Sequence, residues 1–161
     1  MSQDKASPRP PALDPATLES RIGSGYPEPF ASDVAAREKR ALGDALGLKN
    51  FGVNMVHLSP GAMSSQRHWH SKQDEFLYVV EGELVLVTDG GEQTLSAGAV
   101  AGFPAGKSDG HHLINRSDSV AVYLEVGDRT EWDEVDYPDI DMLVRYVDGE
   151  EAYVKKDGTP Y

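Results

Sequence analysis

The chain falls into short runs in which apolar and polar positions alternate. The pattern is clearest from Phe51, where Phe51, Val53, Met55 and His57 alternate with Gly52, Asn54, Val56 and Leu58, a half-buried strand with mixed faces. Ser59-Pro60-Gly61 ends it in a turn. Further extended runs are predicted over 67–71, 75–80, 83–88, 92–95, 100–103, 111–115 and 120–126, with tight turns at Glu81-Gly82 and Asp89-Gly90-Gly91. Strands this short and this evenly punctuated predict an all-β sandwich or barrel over 51–127. No solenoid-like repeat is present.

The flanks read differently. Residues 1–15 hold Pro8, Pro10, Pro11 and Pro15 among polar neighbours and predict a loose tail. A short helix is expected over 15–22, capped by Asp14 or Thr17 with Pro15 near its first turn. Gly23, Gly25, Pro27 and Pro29 then enforce irregular backbone. The Ala-rich run 32–42, with Ser32 or Asp33 as cap, predicts a second helix of thin apolar face, or else an arm lying across the barrel or a partner subunit. After residue 127, the stretch 132–141 is acidic and loop-like, and 143–147 with 152–155 flank Asp148-Gly149 as a hairpin. The expected organisation is a tail (1–15), an arm (16–50), the β domain (51–127) and an extension (128–161) that caps the barrel mouth or mediates dimerisation.

Candidate chemistry sits at 67–75. In an extended chain the period of two places His68 and His70 on one face and Trp69 on the other, so two imidazoles converge. Glu75 opens the next run, with Asp74 as the competing carboxylate. Two nitrogens and a carboxylate are most of a first-row transition-metal site. A further ligand is available in 98–115, where His111 and His112 lie; adjacent strand residues face opposite ways, so only one of the pair can serve.

Gly61, His68, His70, Glu75 and Gly82 resemble the first sequence motif of the cupins, and Gly98, Pro104, Gly106, His111 and Asn115 resemble the second. The resemblance spans about 45–127 and departs from the motif spacing after Gly61 and after Gly106, both in turns, where extra residues cost little. It implies a single cupin barrel (a double-stranded β-helix, or jelly roll), a homodimer, and a metal set of His68, His70, Glu75 and His111. The motif's spacing to Asn115 selects His111 and leaves His112 behind the site or facing outward; the spacing to Gly82 selects Glu75 over Asp74. The implied cofactor is one divalent transition metal, Mn, Zn, Fe or Ni. Small bacterial cupins of this outline are grouped with sugar-phosphate isomerases, which implies a metal acting as Lewis acid on a small sugar phosphate. The same ligands also serve iron-dependent dioxygenases and non-catalytic small-molecule-binding modules, which stand as alternatives.

Composition narrows the partners. The 161 residues make one domain with room for a core, and a net charge of −12 argues against nucleic acid and anionic membrane surfaces as partners. There is no cysteine, hence no thiolate ligand or thiol nucleophile. No window approaches the ~20 apolar residues of a membrane span, and the first residues lack an apolar signal core, so a cytoplasmic location is expected. Arg67 and Arg116 read as surface charges, Lys107 as a loop charge, and together they form no phosphate-binding cluster. His57 is expected to be a strand residue with a satisfied hydrogen bond. Phe76, Tyr78, Phe103 and Tyr123 read as core or interface aromatics. Ser64 and Ser65 form no triad with the histidines. Asp133, Glu134, Asp136, Asp139 and Asp141 read as a solvated acidic loop, since their spacing is not that of a calcium loop.

Overall fold

The computed structural model describes residues 8–161. Its strands are β1 (Arg21–Ile22), β2 (Arg37–Ala41), β3 (Phe51–Leu58), β4 (Trp69–His70), β5 (Glu75–Glu81), β6 (Glu83–Thr88), β7 (Gly91–Ser96), β8 (Val100–Phe103), β9 (His112–Ile114), β10 (Ala121–Asp128), β11 (Val135–Tyr137), β12 (Met142–Val147) and β13 (Glu150–Val154). They form a six-stranded sheet in the order β1-β2-β3-β10-β5-β8, a three-stranded sheet β7-β6-β9 and a four-stranded sheet β13-β12-β11-β4. The first two enclose the main core, in which Val56, Leu58, Leu77, Val79, Leu84, Leu86, Leu113 and Tyr123 pack together. Each of these follows from the period of two: Leu77 and Val79 of β5 are buried while Phe76, Tyr78 and Val80 face outward. Burial of each such side chain contributes about 1.5–3 kcal/mol. A smaller core joins Val135, Tyr137, Met142 and Val144 to Tyr26 and Phe30 of the N-terminal region. No helix among the described residues is long and apolar enough to cross a membrane.

The strands predicted within 51–127 are present, with the run 67–71 reduced to Trp69–His70, β9 shorter than expected at His112–Ile114, and His68 and His111 held instead in a bridge to each other. The hairpin about Asp148-Gly149 also forms, from β12 and β13. Three expectations in the flanks are corrected. The helix over 15–22 is a single 3-10 turn, Pro15–Thr17, capped by Asp14 Oδ1 accepting from Ala16 N, and Arg21–Ile22 is a strand. The helix over 32–42 shrinks to a 3-10 turn, Ser32–Val34, followed by β2. Five consecutive ladder pairs between β2 and β3, from Arg37↔Leu58 to Ala41↔Asn54, override a weak local helix preference. The acidic segment 132–141 is no free loop, since Val135 and Tyr137 are buried in β11 between β12 and β4. The expected loose tail lies outside the described residues over 1–7.

Candidate metal centre

The centre begins with a backbone pair. His68 N donates to His111 O at 3.2 Å and His111 N donates to His68 O at 2.9 Å. Residues opposite each other in an antiparallel pair project to the same side. The two rings accordingly meet with centroids 4.8 Å apart. The period of two adds His70, whose ring centroid is 5.1 Å from that of His68. Glu75, at the start of β5, completes the group: its Oε2 lies 2.8 Å from His111 Nε2, 3.5 Å from His70 Nε2 and 3.6 Å from His68 Nε2. The ligand atoms of His68, His70 and Glu75 all lie within 4.8 Å of one another, the spread of groups that can hold one ion.

Contacts behind the rings set their tautomers. His68 Nδ1 donates to Gln66 O at 2.8 Å, since a carbonyl can only accept. His70 Nδ1 donates to Asp133 Oδ2 at 2.5 Å. Both rings therefore present an unprotonated Nε2 to the centre when neutral, the form that ligates metal. Asp133 is 3% exposed and its Oδ1 accepts from Lys72 N at 2.7 Å and Gln73 N at 3.2 Å. The sequence-based reading of Asp133 as solvated is thus corrected. It is preceded by Trp132 at φ 60, left-handed backbone that a bulky residue rarely adopts. His111 stacks on Phe103 at 3.5 Å and 3°, and its Nδ1 is buried without a partner. His112 turns away, with Nδ1 donating to Ser65 O at 3.0 Å.

Glu75 Oε2 is buried, yet no hydrogen bond is directed at it despite three imidazole nitrogens nearby. Burial works to raise the Glu75 carboxyl, but His111 and His68 outweigh it and hold it well below the usual carboxylate range. Burial also acts first on His68, where the Glu75 charge overcomes it and lifts the imidazole above its ordinary value; on His111 burial prevails and pushes it down. A buried carboxylate oxygen without a directed donor, ringed by three imidazoles of which His68 and His70 are fixed from behind, is a donor set suited to a divalent transition metal.

Two cavities meet at this centre. One of about 330 Å³ is lined by Trp69, His70, Phe103, Lys107 and Asp109; the other, about 140 Å³, by Tyr26, Arg37, Lys39, Tyr123 and Glu125, and Glu75 and His111 border both. Glu125 sits within the apolar run of β10, and Arg37 and Lys39 went unread because β2, with its four charged residues, falls within the expected Ala-rich helix. Its alternation, Arg37 and Lys39 inward against Glu38 and Arg40, is the signal that finds it.

The remaining candidates separate. Arg67 is no free surface charge: its side chain is 14% exposed and binds both oxygens of Asp139, at 2.7 and 2.8 Å, and also Asp89. Arg116 pairs with Glu92 at the surface. His57 is a strand residue, but its buried Nδ1 has no partner, against the expected satisfied hydrogen bond. Phe103 and Tyr123 point inward, whereas Phe76 and Tyr78 are 44% and 40% exposed. Glu134, Asp136, Asp139 and Asp141 join no cluster of metal-ligating groups among the described residues.

Comparison with known proteins follows the same lines. A family profile described as a cupin domain matches residues 54–127. A sugar phosphate isomerase of the cupin superfamily from Silicibacter pomeroyi DSS-3 is 48% identical, with a TM-score of 0.89 over 94% of this chain and 96% of that one. The chain belongs to the cupin superfamily. A cupin from Acidithiobacillus ferrooxidans, provisionally named a sugar phosphate isomerase, is 26% identical at a TM-score of 0.75 over 90% of this chain and 88% of that one. The polyketide cyclase RemF from Streptomyces resistomycificus shares the fold at 18% identity and a TM-score of 0.61, over 73% and 78% of the two chains. No curated protein sequence gives a significant match. Within the cupin frame the motif residues have visible tasks. Gly82 turns at φ 77 beside Ala121, and Asn115 is fully buried, its Nδ2 donating to Leu58 O and Ser119 O at 2.8 Å each.

Proposed function

We propose that this cupin is a cytoplasmic, metal-dependent isomerase of small sugar phosphates. The observation that carries the reading is the buried Glu75 Oε2, ringed by His68, His70 and His111 with no hydrogen bond directed at it, at the junction of two cavities. These four residues would hold Mn, Zn, Fe or Ni, and a metal bound there supplies Lewis-acid polarisation of a substrate carbonyl. The substrate class is supported by the 48% identical Silicibacter pomeroyi protein, which bears that name.

The chain's own residues favour an anionic, oxygen-rich ligand. The Arg37 guanidinium reaches the smaller cavity and is held by Gly23 O and Ser64 O, with no carboxylate partner among the described residues. That leaves positive charge on the cavity wall in an otherwise acidic protein. Phe103 packs flat on His111 and shields the ring from water. A homodimer belongs to the same reading, formed through the outward face of β5 and β8, where Phe76, Tyr78 and Val100 are 44%, 40% and 57% exposed.

The test is turnover. Protein loaded separately with Mn, Zn, Fe or Ni is expected to interconvert an aldose phosphate with its ketose, followed by NMR. Absence of interconversion with every metal and a panel of triose to hexose phosphates, or oxygen consumption by the iron form instead, would contradict it.

A further inference from the structure

With His68, His70, Glu75 and His111 occupied as ligands, aldose–ketose exchange still needs a group that moves a proton between neighbouring carbons. Glu125 stands in the right chamber. It lies on β10 two residues after the buried Tyr123, on the inward side of the sheet, and lines the 140 Å³ cavity together with His68, Glu75 and His111. Its Oε1 is pinned twice, by Asn54 Nδ2 at 3.0 Å and by the Lys39 ammonium. No hydrogen bond from the described residues reaches Oε2, and the side chain remains 29% exposed. Glu125 and Glu75 also border a second depression of about 280 Å³. Beside it Gly52 pairs with Gly127, and the Arg129 side chain, paired with Asp44, lines its rim.

The other groups on this cavity suit the task less well. Burial pushes the Tyr26 phenol up to about 12 and Tyr123 well above 10, so both stay protonated near neutrality. Arg37 is a permanent cation. A carboxylate with one oxygen fixed and the other open to the cavity is the remaining acceptor.

We propose that Glu125 is the proton-transfer residue of this site, with Lys39 and Asn54 as its positioning residues; this rests on the isomerase reading above. Glu125 Oε2 takes the proton from C2 of the aldose, the C–H electron pair becomes the C1=C2 bond, and the carbonyl π pair moves onto O1. The O2 proton passes to O1. The O2 lone pair then forms C2=O, and the C1=C2 pair takes the proton back from Glu125 at C1. The product is the ketose, and Glu125 is again a carboxylate.

The experiment uses the full metal-loaded protein in D₂O with fructose, ribulose and dihydroxyacetone phosphates as probes, reading deuterium at the carbon next to the carbonyl. Glu125→Gln is expected to lower the exchange rate at least about 100-fold, with metal per chain, melting temperature and probe affinity by calorimetry unchanged. Lys39→Met lowers kcat about tenfold with KM held, and Lys39→Arg restores it. An independent readout is covalent. Glycidol phosphate is expected to esterify Glu125: Oε2 forms a bond to an epoxide carbon, that C–O bond breaks, and the alkoxide takes a proton from water. Peptide mass spectrometry locates the adduct. Exchange in Glu125→Gln within about threefold of the unmodified protein, or an adduct absent from Glu125, overturns the assignment and leaves the isomerase reading standing. No exchange by the unmodified protein with any probe overturns both.

Discussion

Asp133 governs His70 from a distance of 63 residues along the chain. Its Oδ2 fixes the Nδ1–H tautomer, and its Oδ1 is itself tied to Lys72 N and Gln73 N, so the imidazole cannot turn without breaking buried bonds. Asp133→Asn is expected to weaken metal binding about 10–100-fold, read by competition with a coloured chelator, while the fold is kept. Unchanged affinity would mean that packing alone orients His70. At this scale the convergence of His68, His70 and His111 was legible in the sequence, because a period of two and a spaced pair of motifs are local signals. Asp133 was not, since an acidic residue in a charged run looks the same whether it is solvated or buried against a distant loop. The same limit hid Arg37, Lys39 and Glu125, which gain meaning only when β2 and β10 both lie against β3.

Among the elements, the turn between β5 and β6 depends on Gly82. Its φ is 77, and a Cβ there would meet Ala121 Cα at 3.0 Å and Val120 O at 3.1 Å, both backbone. Gly82→Ala is expected to destabilise the protein by at least about 2 kcal/mol in urea unfolding, combining left-handed strain with a contact that cannot relax. A loss under about half that would show that β10 can shift. The extension is clamped to the barrel by Arg67, which joins Asp139 to Asp89 and Gly110 O. The hydrogen bond from Arg67 holds the Asp139 carboxyl below its ordinary value. A lowered folded value adds stability above the unfolded pKa of about 3.9, and this is lost as pH falls through the folded value. Arg67→Met is therefore expected to flatten the acid end of the melting-temperature profile; an unchanged profile would remove the clamp from the account. Turn residues made the barrel strands readable from the sequence. Strands β1, β2 and β11 were not, because short or charged segments acquire strand geometry only from the neighbour they pair with.

For the whole molecule, Phe76, Tyr78 and Val100 leave an apolar patch outside the six-stranded sheet. Our proposal that a second copy covers it predicts a dimer in light scattering and a monomer for Tyr78→Glu, with the metal retained; a monomeric unmodified protein would contradict it. The centre itself is tested most directly by metal analysis of protein purified without affinity tag or chelator, then reloaded with Mn, Zn, Fe or Ni. About one ion per chain is expected in the unmodified protein and in His112→Ala and His57→Ala, and none in His70→Ala or His111→Ala. An unmodified protein that binds none of these metals, or a His111→Ala protein that keeps its full complement, would contradict it.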